Sequence, residues 1–178
     1  MTFPASITRF SGVHAFLSNF AIIPVEIRSS DGTLVVYPTV EHAFNAAKTT
    51  DPHQRAWVLA APTPRKAKLR GRQVTLRPGW DTHVRWQAMD IALRAKFTPG
   101  RDVTDRLLAT GEAFLEEGNT WCDNEWGVCR CSRPRCLQER DRFEGNALGR
   151  MLMALRDIHA GRRDSAVPLL TSFSLPPR

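Results

Sequence analysis

The pattern of the chain changes at Thr39, and that change narrows the folds open to it. Before it, Ile22 to Arg28 alternates apolar and polar through Val25, Glu26, Ile27 and Arg28, and Thr33 to Tyr37 is a second β-prone run. Between them stands Ser29-Ser30-Asp31-Gly32. An Asp-Gly pair between two such runs is a strong hairpin signal, because the tight turn needs positive φ. Ile7 to Phe10 can add a third strand. From Thr39 onward the signals are helical. Thr39 can N-cap a helix running to about Thr49. Asp51, Pro52 and Gln54 supply a cap, a first-turn proline and a capping-box spacing. Thr63-Pro64 repeats the device, with Gly71 as the stop.

The longest helix is expected over Asp81 to Phe97, where Trp86, Met89, Leu93 and Phe97 share one face. Asp102 can cap another that ends before Gly111, with Val103, Leu107 and Leu108 inward. Residues 117–144 read as a loop rich in Gly, Cys, Asn, Arg and Trp. A last helix spans Asn146 to Ala160, burying Leu148, Leu152, Leu155 and Ile158, with Gly161 as its stop. The expected class is α+β and mainly helical: a small N-terminal antiparallel sheet packed with a cluster of about six helices. The expected organisation is a single domain over 1–161 and a proline-containing tail over 162–178.

A chain of 178 residues buries roughly 70% of its unfolded surface and can hold a core without a disulfide or a metal. No apolar run approaches the ~20 residues that cross a bilayer, so no membrane role is expected. Met1-Thr2-Phe3-Pro4 lacks a basic, then apolar, secretory pattern, so a cytoplasmic location is expected. Lys+Arg number 25 against 18 Asp+Glu, a net charge of +7, which favours an anionic partner, whether phosphorylated metabolite or nucleic acid.

All four cysteines, Cys122, Cys129, Cys131 and Cys136, fall in one short stretch. Four thiolates can supply a tetrahedral zinc shell. The spacing C-x6-C-x-C-x4-C lacks the paired CxxC knuckles that make such an assignment strong. Free thiols in a loop is the expectation carried forward, with no metal assigned and the cysteines dispensable for catalysis.

Three segments carry candidate chemistry. In Glu41-His42-Ala43-Phe44-Asn45-Ala46-Ala47-Lys48, Glu41 and Lys48 are two helical turns apart and would share a face. They read either as a site or as a solvated stripe. Glu41 also falls in the first turn, where the helix dipole favours an anion. In Asn119 to Gly127, two indoles, Trp121 and Trp126, stand beside two carboxylates, Asp123 and Glu125. They read either as a stacking platform for a planar ring or as plugs onto a core. Gly145-Asn146-Ala147-Leu148-Gly149 reads either as a phosphate-holding helix start or as an N-cap with close helix packing. There is no HExxH, Walker, GxGxxG or GxSxG pattern.

Taken together, these blocks resemble the NADAR family of N-glycosidases. The resemblance rests on Phe16-Leu17-Ser18-Asn19-Phe20, Tyr37-Pro38-Thr39-Val40-Glu41-His42, Lys48, Ala67-Lys68, Gly71-Arg72 and Trp80. It continues through Met89, Leu93, Lys96-Phe97, Leu107 to Gly111, Asp123, Trp126-Gly127, Gly145 to Gly149, Leu152-Met153 and Arg156. The chain departs from the family pattern at Asn45 and Ala47, where glutamines are usual. It departs again after Gly127, where the cysteine-rich insert replaces an Asp/Gly-rich segment.

The resemblance implies hydrolysis of the bond between a base and a phosphorylated ribose or ADP-ribose. The substrates it implies are riboflavin-pathway phosphoribosyl intermediates or ADP-ribosylated guanine, the latter extending to ADP-ribosylated nucleic acid as a partner. It implies no cofactor. Glu41, Lys48 and Asp123 are the implied catalytic groups. Glu41 and Asp123 would face a cation-like sugar, and Lys48 would either attack C1 or grip phosphate. Asn19, Arg72, Trp80, Trp126, Gly127 and Asn146 are the implied substrate contacts. The competing class is a non-catalytic ADP-ribose or nucleotide-binding module, against which stands the retention of both carboxylates and Lys48. A basic nucleic-acid binder has only its charge in favour.

Overall fold

A computed structural model describes residues 5–29, 31–134, 136–137 and 145–170. Ser30 of the hairpin turn, residues 138–144 of the loop and residues 171–178 of the tail lie outside the described residues. The architecture is α+β and mainly helical, with sheets of only two strands. The chain divides into two compact units, one formed by residues 19–104 and the other by 1–18 with 105–178.

In the 19–104 unit, β2 (Val25–Arg28) pairs antiparallel with β3 (Leu34–Tyr37), in a register that sets Val25 opposite Tyr37 and Arg28 opposite Leu34. The Asp-Gly turn forms as its residues demand. Gly32 takes φ +87° and its N–H donates to Ser29 O, while Ser29 N–H donates to Thr33 O. Helix α1 (Val40–Ala46) begins at Thr39, whose hydroxyl accepts from His42 N–H. Helix α2 (Pro52–Leu59) begins at Asp51, which accepts from His53 and Gln54 N–H, and α3 (Pro64–Arg70) begins at Thr63. Each cap satisfies amides that a helix start leaves orphaned. Ala46, Val58, Ala61, Ala67 and Val74 close the core among these three helices, with Tyr37 packed against it.

The helix expected over Asp81 to Phe97 is two pieces. A π-helical turn (Trp80–Val84) precedes α4 (Arg85–Lys96). It starts at Gly79, in the left-handed region at φ +73°, whose carbonyl accepts from the N–H groups of Thr82, His83 and Val84. Met89, Leu93 and Phe97 are buried as expected, whereas Trp86 is only half-buried. Helix α4 packs on β2 and on α1. Arg101 donates to Pro24 O at 3.1 Å, joining the first and last segments of this unit.

In the other unit, β1 (Ser6–Ile7) pairs parallel with β4 (Phe114–Leu115). The expected third strand therefore does not extend the hairpin. A 3-10 helix (Gly12–Leu17) follows β1. Helix α5 (Asp102–Leu108) leads into this unit and buries Val103 and Leu107, with Leu108 half-buried. Strand β5 (Gly118–Asn119) pairs parallel with β6 (Val128–Cys129). Helix α6 (Ala147–His159) buries Leu148, Met151, Leu152 and Leu155, leaves Ile158 half-buried and stops at Gly161, φ +70°. Arg156, on the buried side of α6, donates to Thr110 Oγ1 and to Ala113 O, both at 2.9 Å. No helix among the described residues is long and apolar enough to cross a membrane.

Candidate active site

The first turn of α1 sets the centre of the site in the 19–104 unit. Glu41 is 6% exposed, and its N–H donates to Asn19 O at 3.1 Å. Asn45, one turn on, donates from Nδ2 to both Glu41 O (2.8 Å) and Glu41 Oε1 (2.9 Å). The carboxylate is thus fixed in direction by its own helix. Its neighbour His42 is a structural group. Its Nε2 lies 3.0 Å from Ala61 O and its Nδ1 lies 2.8 Å from Thr39 Oγ1. A carbonyl only accepts, so Nε2 carries the proton and the Thr39 hydroxyl donates to Nδ1.

Lys48 is not on α1. The helix ends at Ala46, and Lys48 lies in the turn beyond, its N–H bonded to Asn45 O and its O accepting from Arg77 N–H at 2.7 Å. The two-turn stripe predicted from spacing therefore does not exist, yet Glu41 still acts electrostatically on Lys48. Lys48 Nζ sits 5.7 Å from the Phe44 ring centroid and 6.0 Å from that of Trp80, and those rings lie 5.2 Å apart. Burial there pushes the ammonium below its ordinary value of 10.5. Glu41 opposes that shift, and Lys68, Arg72 and Arg85 add to it. One amine therefore feels the charge of one carboxylate and of three further cations.

The π turn supplies two of these neighbours. Residues five apart on an α-helix point about 140° apart. Here Arg85 N–H reaches back to Trp80 O, and the wider ring turns both residues toward one side. Trp80, 6% exposed and tilted against Phe44, is a wall of the site. Phe20 is 38% exposed, with Lys68 Nζ 5.8 Å above its ring. Asn19 donates from Nδ2 to Met89 Sδ, and its buried Oδ1 has no partner among the described residues.

Gly71 holds this corner together by having no side chain. Its φ of −62° suits any residue, so it is not a left-handed stop. A Cβ there would lie 2.2 Å from Asn45 Oδ1 and 2.6 Å from Asn45 Cβ. We expect Gly71→Ala to destabilise the chain by about 2 kcal/mol through forced separation of α1 and α3. It should also lower activity by displacing Asn45 from Glu41. Urea unfolding followed by tryptophan fluorescence reads the first effect, and an unchanged midpoint would remove the close-packing account.

The remaining predicted residues belong to the other unit. Asp123 Oδ1 accepts from the N–H groups of Glu125 (3.2 Å) and Trp126 (2.9 Å), an Asx turn that orders the loop. Gly127 is required by close approach, since a Cβ would lie 2.3 Å from Glu117 O. Asn146, at φ +54°, accepts from Glu117 N–H and donates to Leu115 O at 2.8 Å. The amides of residues 146, 147 and 148 donate to the carbonyls of Gly127, Glu125 and Trp126. The start of α6 therefore holds loop backbone in place of a phosphate, and of the two readings of the Gly145–Gly149 segment the packing one stands. Trp126 is half-buried and Trp121 is 59% exposed, so Trp121 plugs no core.

Residues 9–158 match the NADAR domain model. The chain belongs to the NADAR family. It is 35% identical to the N-glycosidase YbiA of Escherichia coli (strain K12), over 79% of this chain and 78% of that protein. It is 32% identical to the N-glycosidase Npun_R5314 of Nostoc punctiforme, over 79% and 82% respectively. The riboflavin biosynthesis protein VVA0006 of Vibrio vulnificus is 31% identical over 81% of this chain but only 35% of its own length. The NMR structure of E. coli YbiA superposes with a TM-score of 0.69, at 29% identity and covering 94% of both chains. This NADAR protein is accordingly a hydrolase of the N-glycosidase type. Lys68 and Arg85 carry no role in the sequence reading. Lys68 was legible as a cation of the same Ala67–Arg72 motif block, near the end of α3, whereas Arg85 depends on a π turn that no spacing rule announces.

Proposed function

We propose that this NADAR protein hydrolyses the C–N bond between a nitrogenous base and C1 of a phosphorylated ribose. ADP-ribosylated guanine and phosphoribosylated pyrimidine amines are the two substrates of that class to compare. The observation that carries the reading is Lys48, a desolvated amine beside the Phe44–Trp80 ring pair, with its charge held up by Glu41 and pushed down by three cations. The cations suit a phosphate or diphosphate. Glu41 suits the positive charge that develops at the sugar as the bond breaks. Asp123 is proposed as the second carboxylate on the strength of the family motif.

In this mechanism neutral Lys48 Nζ places its lone pair on C1 as the C1–N bond breaks. The bonding pair leaves with the base, which takes up a proton. Nζ then loses a proton, the C1–O4 bond opens to an imine, and O4 takes that proton. Water adds to the imine, the amine departs, and the free sugar is released. In this reading Glu41 holds the proton in transit.

The pH dependence follows from the sign of the Lys48 shift. Only the neutral amine attacks, so kcat should rise as pH climbs through the lowered Lys48 pKa and flatten above it. A lysine that merely gripped phosphate would give the opposite slope, losing activity as it lost its proton. The test of function is incubation with the two substrates side by side, with mass spectrometry of released base and sugar. Release of base from one of them identifies the substrate. Tight binding of ADP-ribose with no release from either would instead assign a sensor.

A further inference from the structure

We propose that Cys122, Cys129, Cys131 and Cys136 bind a single Zn2+ as a tetrathiolate structural site. Their four Sγ atoms all lie within 4.8 Å of one another. A tetrahedral ion with Zn–S bonds of about 2.3 Å needs its sulfurs about 3.8 Å apart, and Cys122 Sγ and Cys131 Sγ are already 3.4 Å apart. That separation is too long for a disulfide, whose sulfurs stand about 2.05 Å apart. It is also too compact for a cluster of two or four irons, which spreads its thiolates around several metal atoms. Thiolate softness with one tetrahedral centre selects zinc.

The surroundings are those that an anionic metal–thiolate group needs. Four thiolates around Zn2+ leave a net double negative charge, which backbone N–H groups and cations must offset. Cys129 Sγ accepts from Cys122 N–H at 3.3 Å and from Cys131 N–H at 3.4 Å. Cys136 Sγ accepts from Asn124 Nδ2 at 3.2 Å, and Arg133 points a guanidinium N–H at Cys122 Sγ from 3.8 Å. Cys122 adopts φ +64°, a left-handed conformation that L-residues other than asparagine and aspartate rarely take. The Asn119 side chain holds the turn that imposes it, bonding to Trp121 N–H, Asp123 N–H and Asp123 O. The irregular spacing that weakened the sequence signal is explained by fold. Cys129 arrives on β6, set opposite Asn119 by the parallel pairing with β5, while Cys122 arrives from the turn.

Loading releases the thiol protons and requires no oxidant. The metal would tie the end of β6 to the Asp123 turn and to Cys136, stapling a stretch of chain that holds few strand hydrogen bonds. The test is elemental analysis and native mass spectrometry of the full chain, expressed without a histidine tag in zinc-supplemented medium. We expect one zinc per chain, all of it released to a chromophoric chelator when the four thiols are titrated with an organomercurial. Chain unfolded in denaturant with chelator, then refolded with Co2+, should show the intense thiolate-to-cobalt charge-transfer band and the visible bands of tetrahedral cobalt. Cys131→Ser, a half-exposed position, should lower zinc affinity at least tenfold. A chain that refolds without metal and gives no charge-transfer band with cobalt would overturn the proposal, as would iron in place of zinc or a Cys122–Cys131 disulfide in freshly purified protein.

Discussion

Lys48→Met is expected to lower turnover about a thousandfold, the upper end of what losing one transition-state group costs, while leaving the chain folded. Methionine matches the length of the lysine stem and suits a place beside the Phe44 and Trp80 rings. Removing a desolvated charge relieves a cost of folding. Circular dichroism and kcat, measured on the same preparation, separate the two effects. Borohydride added during wild-type turnover should trap an adduct of enzyme plus sugar on Lys48. Retention of most activity by Lys48→Arg, with no trapped adduct, would show that the residue is only a cation and that water attacks C1 directly.

Glu41→Gln is expected to cost about a hundredfold in kcat with little change in stability. Glutamine keeps an oxygen to accept from Asn45 Nδ2, so the position of the side chain survives and only its charge is lost. The sign of a second effect is fixed by the same geometry. Glu41 holds the Lys48 pKa up against burial, so its neutralisation lets that pKa fall further. The rising limb of the pH–kcat profile should move to lower pH in the variant. A profile that stays in place would separate Glu41 from Lys48 electrostatically, and undiminished turnover would remove the carboxylate from the mechanism.

The elements that the sequence announced are those set by local chemistry. Asp31-Gly32 makes a turn because glycine takes φ +87° without strain, and Thr39, Asp51 and Thr63 cap because their oxygens reach the amides just ahead. What escaped depends on packing. Helix α1 stops at Ala46, two residues short of Lys48, so the position of Lys48 owes to a turn and two aromatic rings. Gly71 reads as a helix stop by position, yet its use is to admit Asn45, which only the pairing of α1 with α3 reveals. Asn146 and Gly127 were legible as motif residues, but the bonds of Asn146 to the Leu115, Glu117 and Gly127 backbone and the close approach of Gly127 to Glu117 O are long-range and leave no local signature. Glu41 and Lys48 stand out as candidates because an acid and an amine remain visible whatever the helix between them does.

The pairing of Ser6 with Phe114 has a consequence for how the chain reaches its fold. The first strand is synthesised early, but its partner follows about a hundred residues later, a closure that costs roughly 4 kcal/mol of chain entropy. The intervening unit shortens that path. Once residues 19–104 are folded, the Arg101–Pro24 hydrogen bond brings the two ends of the excursion together. The loop left to close is then about thirty residues, and closure is easier by about 1 kcal/mol. The inserted unit is thus placed to act as the nucleus, and β1 with β4 as a late seam. Substitutions that loosen the helices around Gly71 should slow refolding, whereas those at Ser6 or Ile7 should mainly hasten unfolding.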